Sequence, residues 1–437
     1  MKYVLFLLLC LMSRMAAAQT PDDSVPAKAA YYFGLVSSIC AAPEGRLWNK
    51  ELAGPVLLVE PATRNVYANV PDKEGLLVAR GQLFTGVLPK AVNIANTAAT
   101  WAGVKWTMVL LPLPASKPEA VKLLAHELFH RVQDELGFAA GSPVNDHLDS
   151  QNGRIYFRLE LEALKAALRA PIDKRCTHLE QAILFRKWRY ALFPAARAAE
   201  EALELNEGLA EFTGVYVSGV AKDTGYLPAL VEGAVGSYPT FARSFAYITG
   251  PLYGMLLTQR QPGWQLGFSA RDNFPDKLAT VYSLHVPAVV QEKMVQVKGA
   301  YNELAIRQQE ARREEDRLIK AEGYMHALVE GPLLCLTLSK KMSFSFNPSR
   351  LFPLGEYGTV YPTMTMTDEW GRLVVSGDAR MRDWRMLFIA LPKGTVIEGQ
   401  IIKTAEWELT LVDGWMVKSG ERAGDFVVSK QEVSDKR

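Results

Sequence analysis

A chain of 437 residues exceeds what one hydrophobic core serves, since cores stop growing at about 250 to 300 residues, so more than one domain is expected. Apolar residues make up 49% and charged residues 22%, and the formal net charge is +2. This ordinary globular balance excludes a disordered chain and offers no basic field that would make nucleic acid a partner.

At the N-terminus, Met1-Lys2-Tyr3 leads into the apolar run 4–12, and Ala16-Ala17-Ala18 precedes a polar stretch beginning at Gln19. This is the pattern of a secretory signal peptide (1–18) cut after Ala18. Arg14 breaks the run before the roughly 20 apolar residues that a membrane anchor needs. Leu9 stands before Cys10, where lipid attachment would want a small residue. The expectation is an exported protein, secreted or periplasmic, with no membrane span in its mature part. Cys40, Cys176 and Cys335 then remain, far apart and without C-x-x-C spacing, which excludes a zinc ribbon or redox motif. In an oxidising compartment any one pair is available for a bridge, and the sequence does not choose among the three.

From residue 54 onward, short strands are expected at 56–59, 65–70, 76–83 and 106–111, the last ended by Pro112 and Pro114. A helix follows. Ser116 and Glu119 stand at capping-box spacing with Pro118 in the first turn, and Gly137 can close the far end. Val121, Leu124, Ala125, Leu128, Phe129, Val132 and Leu136 form its apolar stripe, with His126 and His130 beside it. Helical patterns continue over 155–193, 195–217 and 241–257. Residues 291–328 include Arg312-Arg313-Glu314-Glu315-Asp316-Arg317, which reads as a solvated helix. After Gly331 the texture turns to alternating strands. The expected organisation is an α+β chain in which 19–290 carry the motif, 291–330 form a charged helical linker and 331–437 form a C-terminal β-domain.

His126-Glu127-Leu128-Phe129-His130 is an H-E-x-x-H sequence. A helix places its imidazoles at i and i+4 on one face, close enough to share a zinc ion, and leaves Glu127 free to act as base toward a metal-activated water. The third ligand must come from elsewhere. Glu207 is the first candidate, because Glu207 and Glu211 lie one helical turn apart, so that one can bind metal while the other orients a ligating histidine. Glu160 and Glu162, on the preceding helix, are rivals. His147 reads as a surface loop residue.

The stretch Leu205-Asn206-Glu207-Gly208-Leu209-Ala210 resembles the leucine-asparagine-glutamate-glycine-phenylalanine-alanine signature of the aminopeptidase-N branch of the gluzincin metallopeptidases, and Glu211 matches an acidic position of the thermolysin-like branch. Tyr247-Ile248-Thr249-Gly250 resembles the aminopeptidase tyrosine-x-lysine-glycine helix, with Thr249 in place of the lysine. The resemblance covers residues 54–257. It implies a zincin-like fold, Glu207 as third zinc ligand, Glu211 behind a histidine and Tyr247 as donor to the oxyanion. Two departures stand out. The stretch 131–206 between His130 and Glu207 is far longer than in the aminopeptidases, and the segment that grips a free amine there has no counterpart in 103–111. That second departure weakens an exopeptidase reading, although residues 106–111 could offer backbone hydrogen bonds to an extended peptide. The leading expectation is an exported zinc metallohydrolase acting on a peptide or protein. The alternative is a noncatalytic envelope binding or scaffold protein built on the same frame.

Overall fold

The computed structural model describes residues 24–138, 141–143, 145–237, 240–287, 290–346, 350–397 and 399–431, and the signal segment expected at 1–18 lies outside them. The chain is mixed α+β, with an N-terminal sheet, a helical middle and a C-terminal β region. Among the described residues no helix is long and apolar enough to cross a membrane.

Helix α1 (Val25–Ala41), capped by Ser24, precedes six strands: β1 (Val56–Val59), β2 (Asn65–Ala68), β3 (Val78–Arg80), β4 (Leu83–Val87), β5 (Thr97–Trp101) and β6 (Val104–Leu110). They form one sheet in the order β3-β4-β2-β1-β6-β5, in which only β1 and β6 run parallel. Every β1 residue is buried, as its unbroken Val-Leu-Leu-Val demands of a strand covered on both faces. Val56, Leu58 and Val109 pack beneath α1 and α2 (Lys117–Val132), while Leu57, Val59, Trp106 and Met108 pack on the other side.

Residues 76–83 are not one strand but part of the β3–β4 hairpin, because Gly81 takes φ +62° and turns the chain. A second correction bears on substrate binding. Strand β6 lies between β1 and β5, so of 106–111 the residues up to Met108 already face β5, and only 109–111 run past its end. The sheet edge beside β6 is β5, whose Thr-Ala-Ala-Thr-Trp gives no apolar alternation for a sequence reading to catch.

The helical middle contains α3 (Gln151–Arg169), α4 (Arg175–Leu192), α5 (Ala196–Leu203), α6 (Leu209–Ser218), α7 (Tyr226–Ser237), α8 (Ala246–Arg260), α9 (Phe274–Tyr282), α10 (Val290–Val297) and α11 (Glu303–Met325). A wide π turn, Glu204–Gly208, joins α5 to α6 without ending the helix. Helix α6 packs between α2 and α8. Close approach there requires glycine: a Cβ on Gly250 would stand 2.3 Å from the Gly208 carbonyl oxygen, and one on Gly214 would stand 2.6 Å from that of Lys122. Gly250→Ala is therefore expected to cost about 1–3 kcal/mol through overpacking, whereas Gly236→Ala, with open space around it, should match or exceed the parent; urea midpoints compare the two.

The charged run of α11 is not simply solvated. Arg154 and Arg158, one turn apart on α3, donate to the two oxygens of Glu310 at 2.6 and 2.7 Å, and Glu310 is 0% exposed. Composition shows the charges of α11 but not their partners, which lie 150 residues earlier.

Beyond α11, a seven-stranded sheet takes β7 (Leu333–Thr337), β9 (Phe352–Pro353), β10 (Thr359–Tyr361), β13 (Ala379–Arg382), β14 (Met386–Ala390), β17 (Trp415–Ser419) and β18 (Phe426–Lys430). A five-stranded sheet takes β8 (Ser343–Phe346), β11 (Met364–Asp368), β12 (Gly371–Val375), β15 (Ile401–Lys403) and β16 (Trp407–Leu411). Leu336, Met381 and Ile389 of the first sheet share a core with Met366, Leu373 and Trp407 of the second, the arrangement of two sheets packed face to face. Cys40, Cys176 and Cys335 are all free.

Candidate metal centre

Helix α2 begins where Ser116 accepts a hydrogen bond from the Glu119 amide at 3.3 Å, and its apolar stripe seats it on the sheet. With the register fixed, His126 and His130 point the same way, toward the π turn and α6. Their Nε2 atoms are 3.1 Å apart, and Glu207 Oε2 lies 3.5 Å from the first and 3.3 Å from the second. These three residues are the metal-competent group among the described residues.

The far side of each ring is held. Glu211 Oε2 takes His126 Nδ1 at 2.8 Å, and Gln133 Oε1 takes His130 Nδ1 at 2.8 Å. The Gln133 amide nitrogen donates to the carbonyls of Leu205 and Asn206, which fixes the orientation of that amide. In the neutral form that a metal requires, both rings would thus carry their proton on Nδ1 and turn an Nε2 lone pair to a shared point. Two imidazole lone pairs and a carboxylate oxygen are three acceptors, and a cation is what satisfies three acceptors at once. Tetrahedral ligation at about 2.05 Å needs edges of about 3.3 Å, which the three observed separations bracket. The donor set of two nitrogens and one carboxylate also suits zinc.

The local field points the same way. Burial disfavours a charge on His126, but hydrogen bonds to Glu207 and Glu211, aided by the Glu127 charge, outweigh it and push its pKa up to about 10. Burial likewise would raise Glu207, yet hydrogen bonds from His126 and His130 hold it below the usual carboxylate range. Glu211 is buried too and is held low by His126 and by Lys122, whose ammonium is 3.2 Å away.

Glu127 sits beside this group, with Oε1 4.0 Å from His126 Nε2. Its Oε2 is buried and has no hydrogen-bond partner, and burial raises its pKa. An orphaned buried carboxylate oxygen at a polar cleft is costly unless the cleft uses it. Tyr247, from α8, stacks on His126 at 5.6 Å and donates its hydroxyl to Glu207 Oε2 at 2.7 Å. The cleft measures about 490 Å³, and Asn96, Thr97 and Ala98, at the start of the edge strand β5, line it together with these residues.

Comparison with known protein families, with curated proteins and with solved structures finds no match for this chain.

The rival acids lie elsewhere. Glu160 is 0% exposed and pairs with Arg186 at 2.7 Å and Arg189 at 2.8 Å, while Glu162 pairs with Lys165 at 2.8 Å. His147 is not a free surface residue: its Nε2 lies 2.7 Å from the buried Glu200, which Arg189 also holds. Sequence reading missed Gln133 and Lys122. Their signal was positional, since Gln133 follows His130 by three residues and Lys122 precedes His126 by four, both on the histidine face of α2.

Proposed function

We propose that this chain is an exported, divergent gluzincin-like zinc peptidase with a zincin-like fold, in which His126, His130 and Glu207 hold the metal and Glu127 is the general base. The observation that carries the reading is the convergence of three ligand atoms at tetrahedral spacing, each ring fixed from behind, beside an unpartnered buried carboxylate.

When bound, zinc supplies a Lewis acid that polarises a carbonyl and makes water a nucleophile near neutral pH. Glu127 accepts the proton of the attacking water at Oε2, the atom without a protein partner. Glu211 and Gln133 keep the imidazoles in one tautomer and orientation. Tyr247 lines the cleft, and its hydroxyl, which donates to Glu207 Oε2, would turn from Glu207 to the oxygen that becomes negative. An extended substrate pairs with the outer edge of β5, which brings its backbone past the histidines. Tyr247→Phe is expected to lower kcat about 100-fold with unchanged zinc content and little change in KM, measured by steady-state peptide hydrolysis.

The test of the whole reading is metal content beside activity. The purified protein, supplied with zinc, should carry about one zinc per chain. Glu207→Ala should lose it, and Glu162→Ala should keep it. A broad peptide mixture should be hydrolysed in a manner that a chelator stops. A parent protein that binds no zinc overturns the reading in favour of a noncatalytic binding protein.

A further inference from the structure

A second cleft, of about 1450 Å³, lies between the C-terminal β region and the earlier parts of the chain. All six consecutive residues from Lys341 to Phe346 line it. Successive side chains of a strand point to opposite faces, so an unbroken run of lining residues means that the edge of β8 itself meets the cleft. Among the described residues that edge is free, because β8 ends its sheet with β11 on its one paired side. Its Ser-Phe-Ser-Phe contains no proline or charge of the kind that blocks pairing.

The charges around the cleft are unequal. Lys90, Lys341 and Arg372 are exposed there, and Arg64 and Arg243 bring the cations to five, against Asp146 and Asp149. Asp149 is already engaged by the Thr240 hydroxyl. Arg372, Thr367 and Ser343 stand opposite one another across β12, β11 and β8, so a cation and two hydroxyls share one face.

The two clefts are joined by one run of chain. Residues 90–95 line the large cleft, and Asn96, Thr97 and Ala98 line the metal cleft. Residues 90–98 span at most about 30 Å even when fully extended.

Resting on the peptidase reading, we propose that the large cleft is an exosite that adds an extended, acidic segment of a polypeptide substrate as a strand on β8 while another part of the same chain lies along β5. The favoured substrate is then a long, unfolded, acidic polypeptide rather than a short peptide. Strand addition supplies sequence-independent hydrogen bonds, and the basic rim supplies the preference for acidic chains.

The test uses full-length Glu127→Gln protein and fluorescein-labelled peptides of about 20 residues, one Glu-rich and one Lys-rich, long enough at about 3.3 Å per residue to reach both clefts. The Glu-rich peptide should bind more tightly by fluorescence anisotropy, and Lys341→Glu with Arg372→Glu should weaken it about tenfold and remove most of its salt dependence. Phe344→Pro, which deletes an amide on the unpaired side of β8, should weaken both peptides in the folded protein. The same charge reversals with Glu127 intact should leave hydrolysis of a short peptide unchanged. Equal binding of the two peptides, or binding indifferent to charge reversal, overturns the exosite and leaves the peptidase reading standing. Charge-dependent binding by a protein that cleaves no peptide removes the peptidase reading and retains β8 as a polypeptide-binding edge.

Discussion

Replacing Glu127 with glutamine is expected to cut turnover by about 10²- to 10⁴-fold while leaving zinc content unchanged and thermal stability equal or slightly higher. The two side chains have the same shape, so the packing of α2 need not change. The carboxylate is buried, and one of its oxygens has no partner, so it already carries a desolvation cost in the folded protein. A neutral amide lowers that cost but removes the group able to take a proton. Stability and activity should therefore move in opposite directions, as they do where a buried charge is kept for chemistry. The measurement is kcat/KM on a peptide substrate beside a melting curve and metal analysis. Turnover at the parental rate would falsify the mechanism.

The second large effect concerns stability. Behind the candidate metal centre, Arg186 forks onto Glu204 through two 2.8 Å hydrogen bonds and also reaches Glu160, while Arg189 forks onto Glu200 at 2.7 and 2.6 Å. Tyr253 donates to Glu160 at 3.0 Å and Thr249 to Glu204 at 2.5 Å. All five charged residues are buried. Arg189→Ala leaves Glu200 without its bidentate partner and Glu160 with one cation instead of two, and should cost about 3–5 kcal/mol. Urea unfolding followed by circular dichroism measures this, and a loss no larger than that of a surface substitution would contradict it. Arg186→Ala should add a second effect. Glu204 lies in the turn that presents Glu207, and Thr249 lies two residues beyond Tyr247. Removing Arg186 loosens both supports, so zinc affinity should fall even in the fraction that stays folded.

Some of this was open to the sequence alone. The cap at Ser116, the apolar stripe of α2 and the placing of His126 and His130 on one face follow from interactions within a few residues, which any chain carrying that stretch would make. The change to alternating strands after residue 331 was legible for the same reason. Strand β5 was not, because Thr97–Trp101 is a strand by virtue of pairing with β6 and not by its own pattern. Nor could the sequence settle the choice between Glu160 and Glu207. The signature around Glu207 favours it, but both are carboxylates on helices and the local pattern leaves Glu160 and Glu162 open. What separates them is that α4 brings Arg186 and Arg189 against Glu160, while the close crossing of Gly208 and Gly250 sets the π turn, and Glu207 with it, beside the histidines. The sequence by itself determined which side chains share a helix face. Only the tertiary structure decided which partners they meet, because a buried charge takes its role from groups that the fold brings in from far along the chain.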